Sequence, residues 1–383
     1  MRVDAVDGLR AVLAWWVVLA HLAMSTGLRL VAVANPSVAV DLFMVLSGFL
    51  IASTYERLTQ TQGPRQGMVS FWIRRVMRIW PLYAFLLTLV WLFRGSLADW
   101  TALIAQALQG RAAVGDAMAH GAADAAYGWA GAAWHYSMLF GLNAAQATTT
   151  ELPDWSLSLE FQFYLLFPLV AVLYRRWPLW VCCVSAGLAY VSPGLLGDYQ
   201  QAGRWAHFHQ PALLTYRLHF FLVGCIAYRI FALHARPGAR PQDLHRDLVA
   251  LLLCLSVAGV RSALGIIVVM FVLSHPASAL CRWFSTRAMA WMGRISFSIY
   301  LVHMPLLKLV LGTLVLQPWF MGLTPALRFG VAALCLVPLV LLASHALYRC
   351  IENPGNRLAH RWTSRAGPPR ADGGVQSERP APV

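Results

Sequence analysis

Charge is scarce in this chain. Of 383 residues only 12% are charged and only 16 are acidic, whereas about a quarter of a soluble domain is charged. A water-soluble globular protein is thereby excluded, and the 59% hydrophobic content agrees. A zinc ligand set is also lacking, because no cysteine or histidine spacing suits one. The seven cysteines (Cys182, Cys183, Cys225, Cys254, Cys281, Cys335 and Cys350) lie mostly in apolar runs, where the thiol behaves as a small hydrophobe. Neither a disulfide framework nor a metal site is expected. No nucleic-acid module and no repeat of fixed period occurs. The first apolar run is too long for a cleaved signal peptide, and no small-residue cleavage site follows it, so it is expected to stay as a membrane span.

What the chain has instead is apolar runs of membrane-crossing length, about 20 residues for a bilayer core of about 30 Å. The expected fold is an all-α polytopic membrane bundle of about ten helices, near 9–28, 38–56, 80–98, 155–174, 178–194, 211–231, 247–261, 262–276, 291–314 and 327–348. The short pair is divided around "RSALG" (261–265). The Ala- and Gly-rich stretch 100–150 reads as an outside excursion with half-buried helices, with room for one more crossing. Arginine and lysine collect on the cytoplasmic side of membranes. Placing the N-terminus inside leaves 22 of the 30 basic residues in inside segments, so both termini are expected in the cytoplasm. The net charge of +14 follows from this arrangement and from anionic lipid nearby, and it requires no nucleic acid. Residues 1–358 form one membrane domain. Residues 359–383, rich in Pro, Gly and charge, are expected to be a disordered cytoplasmic tail.

Ionisable groups inside spans are expensive and mark functional sites by default. Arg10 and His21 stand eleven residues apart, which on a helix is about 20° and about 16 Å, so they share one face. His21 either serves chemistry or hydrogen-bonds a nearby carbonyl. Asp41, in "DLFMVLSGFLIA", opens the second span as a pocket residue or an N-cap, and Ser47 and Gly48 there suit close helix packing. "FWIRRVMRIWPLY" puts Arg74 and Arg78 on one face with Arg75 beside them, just before Pro81 opens the third span. Such a guanidinium fork suits bidentate phosphate binding or a lipid headgroup. In "PDWSLSLEFQFYLLFP", Glu160 sits inside the fourth span with Ser156 and Tyr164 four residues to either side, and a carboxylate there needs a partner. "GRISFSIYLVHMP" carries His303, with Tyr300 and Ser296 on the same face. Arg349, Glu352 and Arg357 in "LYRCIENPGNR" read as an ion-pair network at a helix end.

In this order, Arg10-x10-His21, "DLFMVLSGFLI", "RRVMRIWPLY", "WSLSLEFQFYLLFP", "GRISFSIYLVH" and the closing "IENP" resemble the membrane acyltransferase-3 family over residues 7–354. The group includes O-antigen, exopolysaccharide and nodulation-factor acyltransferases. The resemblance implies transfer of an acyl group, commonly acetyl, from cytoplasmic acyl-CoA to a hydroxyl of a membrane-linked or cell-surface carbohydrate, in a multi-pass protein of the bacterial inner membrane. Many relatives carry an additional soluble hydrolase-like domain, and none is seen in this sequence.

The chemistry of the residues agrees. CoA carries phosphates that cannot enter hydrocarbon, so Arg74, Arg75, Arg78 and Arg10 would anchor it at the inner surface while the thioester arm reaches inward. Acyl transfer to a hydroxyl needs a base, and an imidazole with a pKa of about 6.5 suits neutral pH. His21 is therefore expected as base or as transient acyl acceptor. Glu160 would orient the acceptor or hold the His21 tautomer, and Asp41, Ser156, Tyr300 and His303 would complete the pocket. The same buried groups also describe a proton-coupled transporter or flippase, and a non-catalytic scaffold would tolerate loss of Arg10 and His21.

Overall fold

The computed structural model describes residues 3–29, 35–109, 128–198, 201–234 and 241–364. Every regular element among them is helical. The long apolar helices are α1 (Val3–Thr26), α2 (Pro36–Gln62) and α3 (Pro64–Leu92). Two short ones follow, α4 (Arg94–Ile104) and α5 (Trp129–Tyr136), then α6 (Trp155–Arg176), α7 (Pro178–Leu196) and α8 (Leu218–His234). Beyond these come α9 (Pro241–Leu255), α10 (Val260–Ser274), α11 (Ala279–Phe284), α12 (Arg287–Arg294), α13 (Ser296–Leu314), α14 (Pro325–Leu347) and α15 (Asn353–Ser364), with a single turn at Pro318–Met321 between α13 and α14. Among the described residues seven helical runs are long and apolar enough to cross a membrane, the last of them Pro325–Ser364. The apolar helices α8 and α10 are shorter.

Local chemistry sets several boundaries differently from the expectation. The third span does not start at Pro81. That residue lies inside a continuous 29-residue helix, about 44 Å long at 1.5 Å per residue, and proline is tolerated in membrane helices because neighbours and local adjustments satisfy the freed carbonyl. Asp41 is not the N-cap of α2. Asn35 is, its side chain accepting from the Ser37 amide with Pro36 in the first turn, which puts Asp41 inside the helix. The turn between α9 and α10 falls at Ser256–Gly259, where Gly259 takes φ 72°, and "RSALG" stays helical. Helix α15 carries the chain to Ser364, past the expected start of the tail. Residues 365–383 lie outside the described residues, as do residues 110–127 of the 100–150 stretch, whose described helices include α4 and α5.

Small residues bring backbones together where side chains would separate them. A Cβ on Gly48 of α2 would lie 2.1 Å from the Phe221 carbonyl oxygen of α8, and one on Gly224 of α8 would lie 2.0 Å from the Val45 carbonyl oxygen. These two helices therefore lie backbone to backbone. The starts of α1, α3 and α13 and the end of α6 gather at one end of the bundle, which carries Arg175, Arg176 and Arg294. This is the basic end. Six helices, α1, α2, α3, α6, α8 and α13, enclose the space between it and the opposite end.

Candidate active site

A cavity of about 70 Å³ lies among those six helices, room for several waters. Its polar lining is Arg10 from α1, Ser47 from α2, Arg75 and Arg78 from α3, Ser156 and Glu160 from α6, and Ser296 and Tyr300 from α13, with Phe43, Leu50, Ile79, Leu157 and Phe221 among the apolar walls. Three guanidinium groups thus face one carboxylate across a small space of low polarity. Arg10 and Arg78 lie within electrostatic reach of each other and of Asp7, Glu160 and Glu352. Balanced charge of this kind is what makes ions tolerable inside a membrane bundle.

Each charged group is held in place. Arg75 donates to the Leu50 carbonyl at 3.1 Å, and its guanidinium stacks 5.6 Å from the ring centres of both Phe71 and Tyr164. Among the described residues its Nε is buried without a hydrogen-bond partner. Glu160 Oε1 accepts from Ser47 Oγ at 2.8 Å and from Tyr164 OH at 2.6 Å. Glu352, buried at the end of the last long run, accepts from Ser298 Oγ at 3.0 Å. It therefore faces the interior arginines, while Arg349 and Arg357 are exposed, so the three do not form the expected helix-end network.

Behind Tyr300, toward the opposite end, stand two imidazoles. His303 is fully buried. Its Nδ1 lies 2.6 Å from the Tyr300 carbonyl and its Nε2 lies 3.2 Å from His21 Nδ1, with the rings stacked at 5.2 Å. A carbonyl only accepts, so His303 Nδ1 carries a hydrogen and its Nε2 a lone pair. His21 Nδ1 must then be the donor between the rings, with the Val17 carbonyl one turn back as a second acceptor for that ring. In the neutral pair the lone pair of His21 is on Nε2. Tyr300 joins the imidazoles to the cavity, its hydroxyl paired with Ser156 Oγ at 2.8 Å.

A model of the acyltransferase domain family matches residues 3–348. The chain belongs to this acyltransferase family. Among related proteins, the O-acetyltransferase OatA of Staphylococcus aureus (strain NCTC 8325 / PS 47) is 26% identical over 381 residues, covering 91% of this chain and 56% of that protein. The peptidoglycan O-acetyltransferase OatA of Listeria monocytogenes serovar 1/2a is 27% identical over 368 residues, covering 87% of this chain and 54% of that protein. The chain spans about half the length of the curated relatives it matches. No solved structure matches it.

Within this acyltransferase domain the residues expected from sequence part into three groups. Arg10, Arg75, Arg78, Glu160, Ser156 and Tyr300 line one cavity. His21 and His303 form the pair behind it, so His21 is held by His303, and Glu160, engaged by Ser47 and Tyr164, is not its partner. Arg74 and Asp41 lie elsewhere. Arg74 Nε donates to Thr363 Oγ1 of α15 at 2.8 Å. Asp41 lines a separate open pocket with Arg217 at 3.5 Å and accepts from Ser262 Oγ at 2.8 Å. Sequence reasoning gave Ser47 to packing and Glu352 to a helix end, and it placed Asp7 one turn below Arg10 without a role of its own. Ser47 lines the cavity, and Asp7 and Glu352 lie within electrostatic reach of its Arg10 and Arg78.

Proposed function

We propose that this chain transfers an acyl group, acetyl in the first instance, from acyl-CoA entering at the basic, cytoplasmic end to a hydroxyl of a cell-surface carbohydrate, a polymer of the class named for the Listeria relative. The observation that carries the reading is the cavity lined by Arg10, Arg75 and Arg78, in a chain of the acyltransferase family. Guanidinium groups recognise phosphate oxygens with planar, charge-assisted hydrogen bonds, and the unpartnered Nε of Arg75 is a donor in want of an anion. The donor's phosphates would rest on these arginines, with Arg74 nearer the basic end. Its thioester arm, being uncharged, passes Tyr300 toward the imidazoles.

His21 then acts through Nε2, as base toward the attacking hydroxyl or as transient acyl acceptor. Removing a hydroxyl proton leaves an imidazolium whose Nδ1–H is already directed at His303 Nε2, so the ring need not turn. Glu160 offsets the arginine charge and orients Ser47 and Tyr164.

The test uses the full chain in lipid nanodiscs with labelled acetyl-CoA and an oligosaccharide from the host cell surface. CoA release with labelled sugar is expected, and His21→Ala should lower it by about 10²- to 10⁴-fold, the contribution of a positioned base. Proton-coupled glycan movement across the bilayer without CoA release would replace the transferase reading with a carrier.

A further inference from the structure

At the end opposite the arginines, outside every group used above, lies a directed chain of hydrogen bonds. Thr149 Oγ1, in the segment before α6, is 2.8 Å from His135 Nε2. His135 Nδ1, on α5, is 3.3 Å from Tyr83 OH of α3, and Tyr83 OH donates to Asp154 Oδ2 at 3.0 Å. Thr150 Oγ1 donates to the same carboxylate oxygen at 2.8 Å, and His135 Nδ1 is 3.7 Å from it. Burial raises the Asp154 carboxyl to about 7, so the ionised form is populated near and above that pH; it only accepts, and the directions follow in turn. Tyr83 gives its hydrogen to Asp154, its oxygen accepts from His135 Nδ1–H, and His135 Nε2 is left with a lone pair aimed at the Thr149 hydroxyl. A hydroxyl on a base that a third group orients is the general signature of an activated nucleophile.

The surroundings fit that role. Burial holds His135 well below the usual histidine range, at about 4, so its ring is neutral and able to accept a proton at pH 7. His135 stacks on Phe140 at 4.5 Å, which fixes the ring plane. The Thr149 segment is pinned by an ion pair between Glu151 and Lys308, the one lysine in the chain. Thr149 itself is only half-buried. The cluster also adjoins the cavity: Tyr83 is one helical turn beyond Ile79 on α3, and Asp154 is two residues before Ser156, with both Ile79 and Ser156 in the cavity wall.

We propose that Thr149 is a second reactive group of this chain, a hydroxyl that takes the acyl group at the end opposite the arginines and passes it to the carbohydrate. The inference rests on the transferase reading. In the first half, His21 Nε2 takes the acyl group as the C–S bond of the thioester breaks, and the Thr149 Oγ1–acyl bond then forms as the acyl–Nε2 bond breaks. The threonine proton goes to His135 Nε2 and from there to the released thiolate. In the second half a carbohydrate hydroxyl attacks the ester, giving its proton to His135 Nε2. That proton returns to Thr149 Oγ1 as the ester bond breaks, and no further reactant is needed. His135 Nδ1–H stays on the ring throughout, donating to Tyr83, while Asp154 stabilises the transient positive charge. A purely structural Thr149 would satisfy its hydroxyl on the Gln146 carbonyl, 3.2 Å away, and would carry no acyl group.

The full chain in nanodiscs is mixed with labelled acetyl-CoA without a carbohydrate acceptor, quenched in acid and digested for mass spectrometry. One acetyl group is expected on the peptide holding Thr149, removable by hydroxylamine, absent in Thr149→Val and kept in Thr149→Ser. His135→Gln, which preserves hydrogen bonding without a usable base, should slow its appearance by at least about 10²-fold. Melting temperatures equal to the parent's show that the variants are folded. CoA release with no label on Thr149, together with parental turnover by Thr149→Val on an acceptor, overturns the proposal and leaves the transferase standing. No CoA release from the unaltered chain overturns both.

Discussion

Two imidazoles share one hydrogen between Nδ1 of His21 and Nε2 of His303, and that hydrogen fixes which nitrogen of His21 is free to react. His303→Ala removes one of the two acceptors of the His21 ring, leaving the Val17 carbonyl to hold that tautomer less firmly. Turnover should fall by part of the about 10²- to 10⁴-fold expected for loss of the base itself, with the KM for acetyl-CoA unchanged. His303→Gln, whose amide oxygen also accepts, should recover much of the loss. Equal rates for the two variants would show that His303 only fills space. The arginines invite a parallel comparison, since neighbours in sequence face different surroundings. Arg75→Lys forfeits planar donors in the cavity and should weaken acetyl-CoA binding roughly 10-fold or more, in keeping with about 1.5–3 kcal/mol for a charged hydrogen bond. Arg74→Lys, on Thr363, should leave it within about 2-fold when both are titrated by calorimetry. A larger effect from Arg74 would move the phosphate site toward the basic end.

At the scale of helices, α2 and α8 offer the sharpest test of packing. Gly48→Ala and Gly224→Ala each press a methyl group into a facing carbonyl oxygen, so each should destabilise the protein by about 1–3 kcal/mol, visible as a lower melting temperature in detergent. Gly330→Ala on α14, with open space around it, should do nothing measurable. Helix type and approximate position were legible in the sequence because apolar runs of this length admit little else in a membrane. The ends were less so. Pro81 looks like a helix start, yet nothing in its neighbourhood tells that nearly five turns of arginine-bearing helix, from Pro64, run unbroken before it. The cut at Gly259 depends on a positive φ that a lone glycine does not announce. Glu352 illustrates the limit for the site: its sequence neighbours are arginines on the surface, and only the packing of the last run against α3 and α13 turns it inward. Arg10, Glu160, Tyr300 and His303 were readable because each is a costly group in an otherwise apolar run. The pairing of His21 with His303, 282 residues apart, was not.

For the molecule as a whole, the cluster of His135 and Asp154 couples folding to pH in two opposing directions. Burial raises the Asp154 carboxyl from 3.8 to about 7, so the folded state holds a proton that the unfolded chain has released. The stabilisation from this group is complete below about 3.8 and is lost as pH rises to about 7. Burial lowers His135 from 6.5 to about 4, so here the unfolded chain binds the extra proton. That contribution is complete above about 6.5 and is lost as pH falls to about 4. Between about 4 and 6.5 one group takes up a proton on folding while the other releases one, and the two slopes cancel. The pair's joint contribution to the melting temperature should therefore be nearly level across that window. His135→Gln leaves Asp154 uncompensated, and stability should decline steadily from pH 4 to pH 7. Asp154→Asn leaves His135 alone, and stability should climb from pH 4 to pH 6.5. Thermal unfolding of the three proteins in the same detergent across this range measures both slopes. Parallel curves would mean that the two side chains are not buried together as the fold places them, and the hydrogen-bond chain from Thr149 to Asp154 would lose its footing along with them.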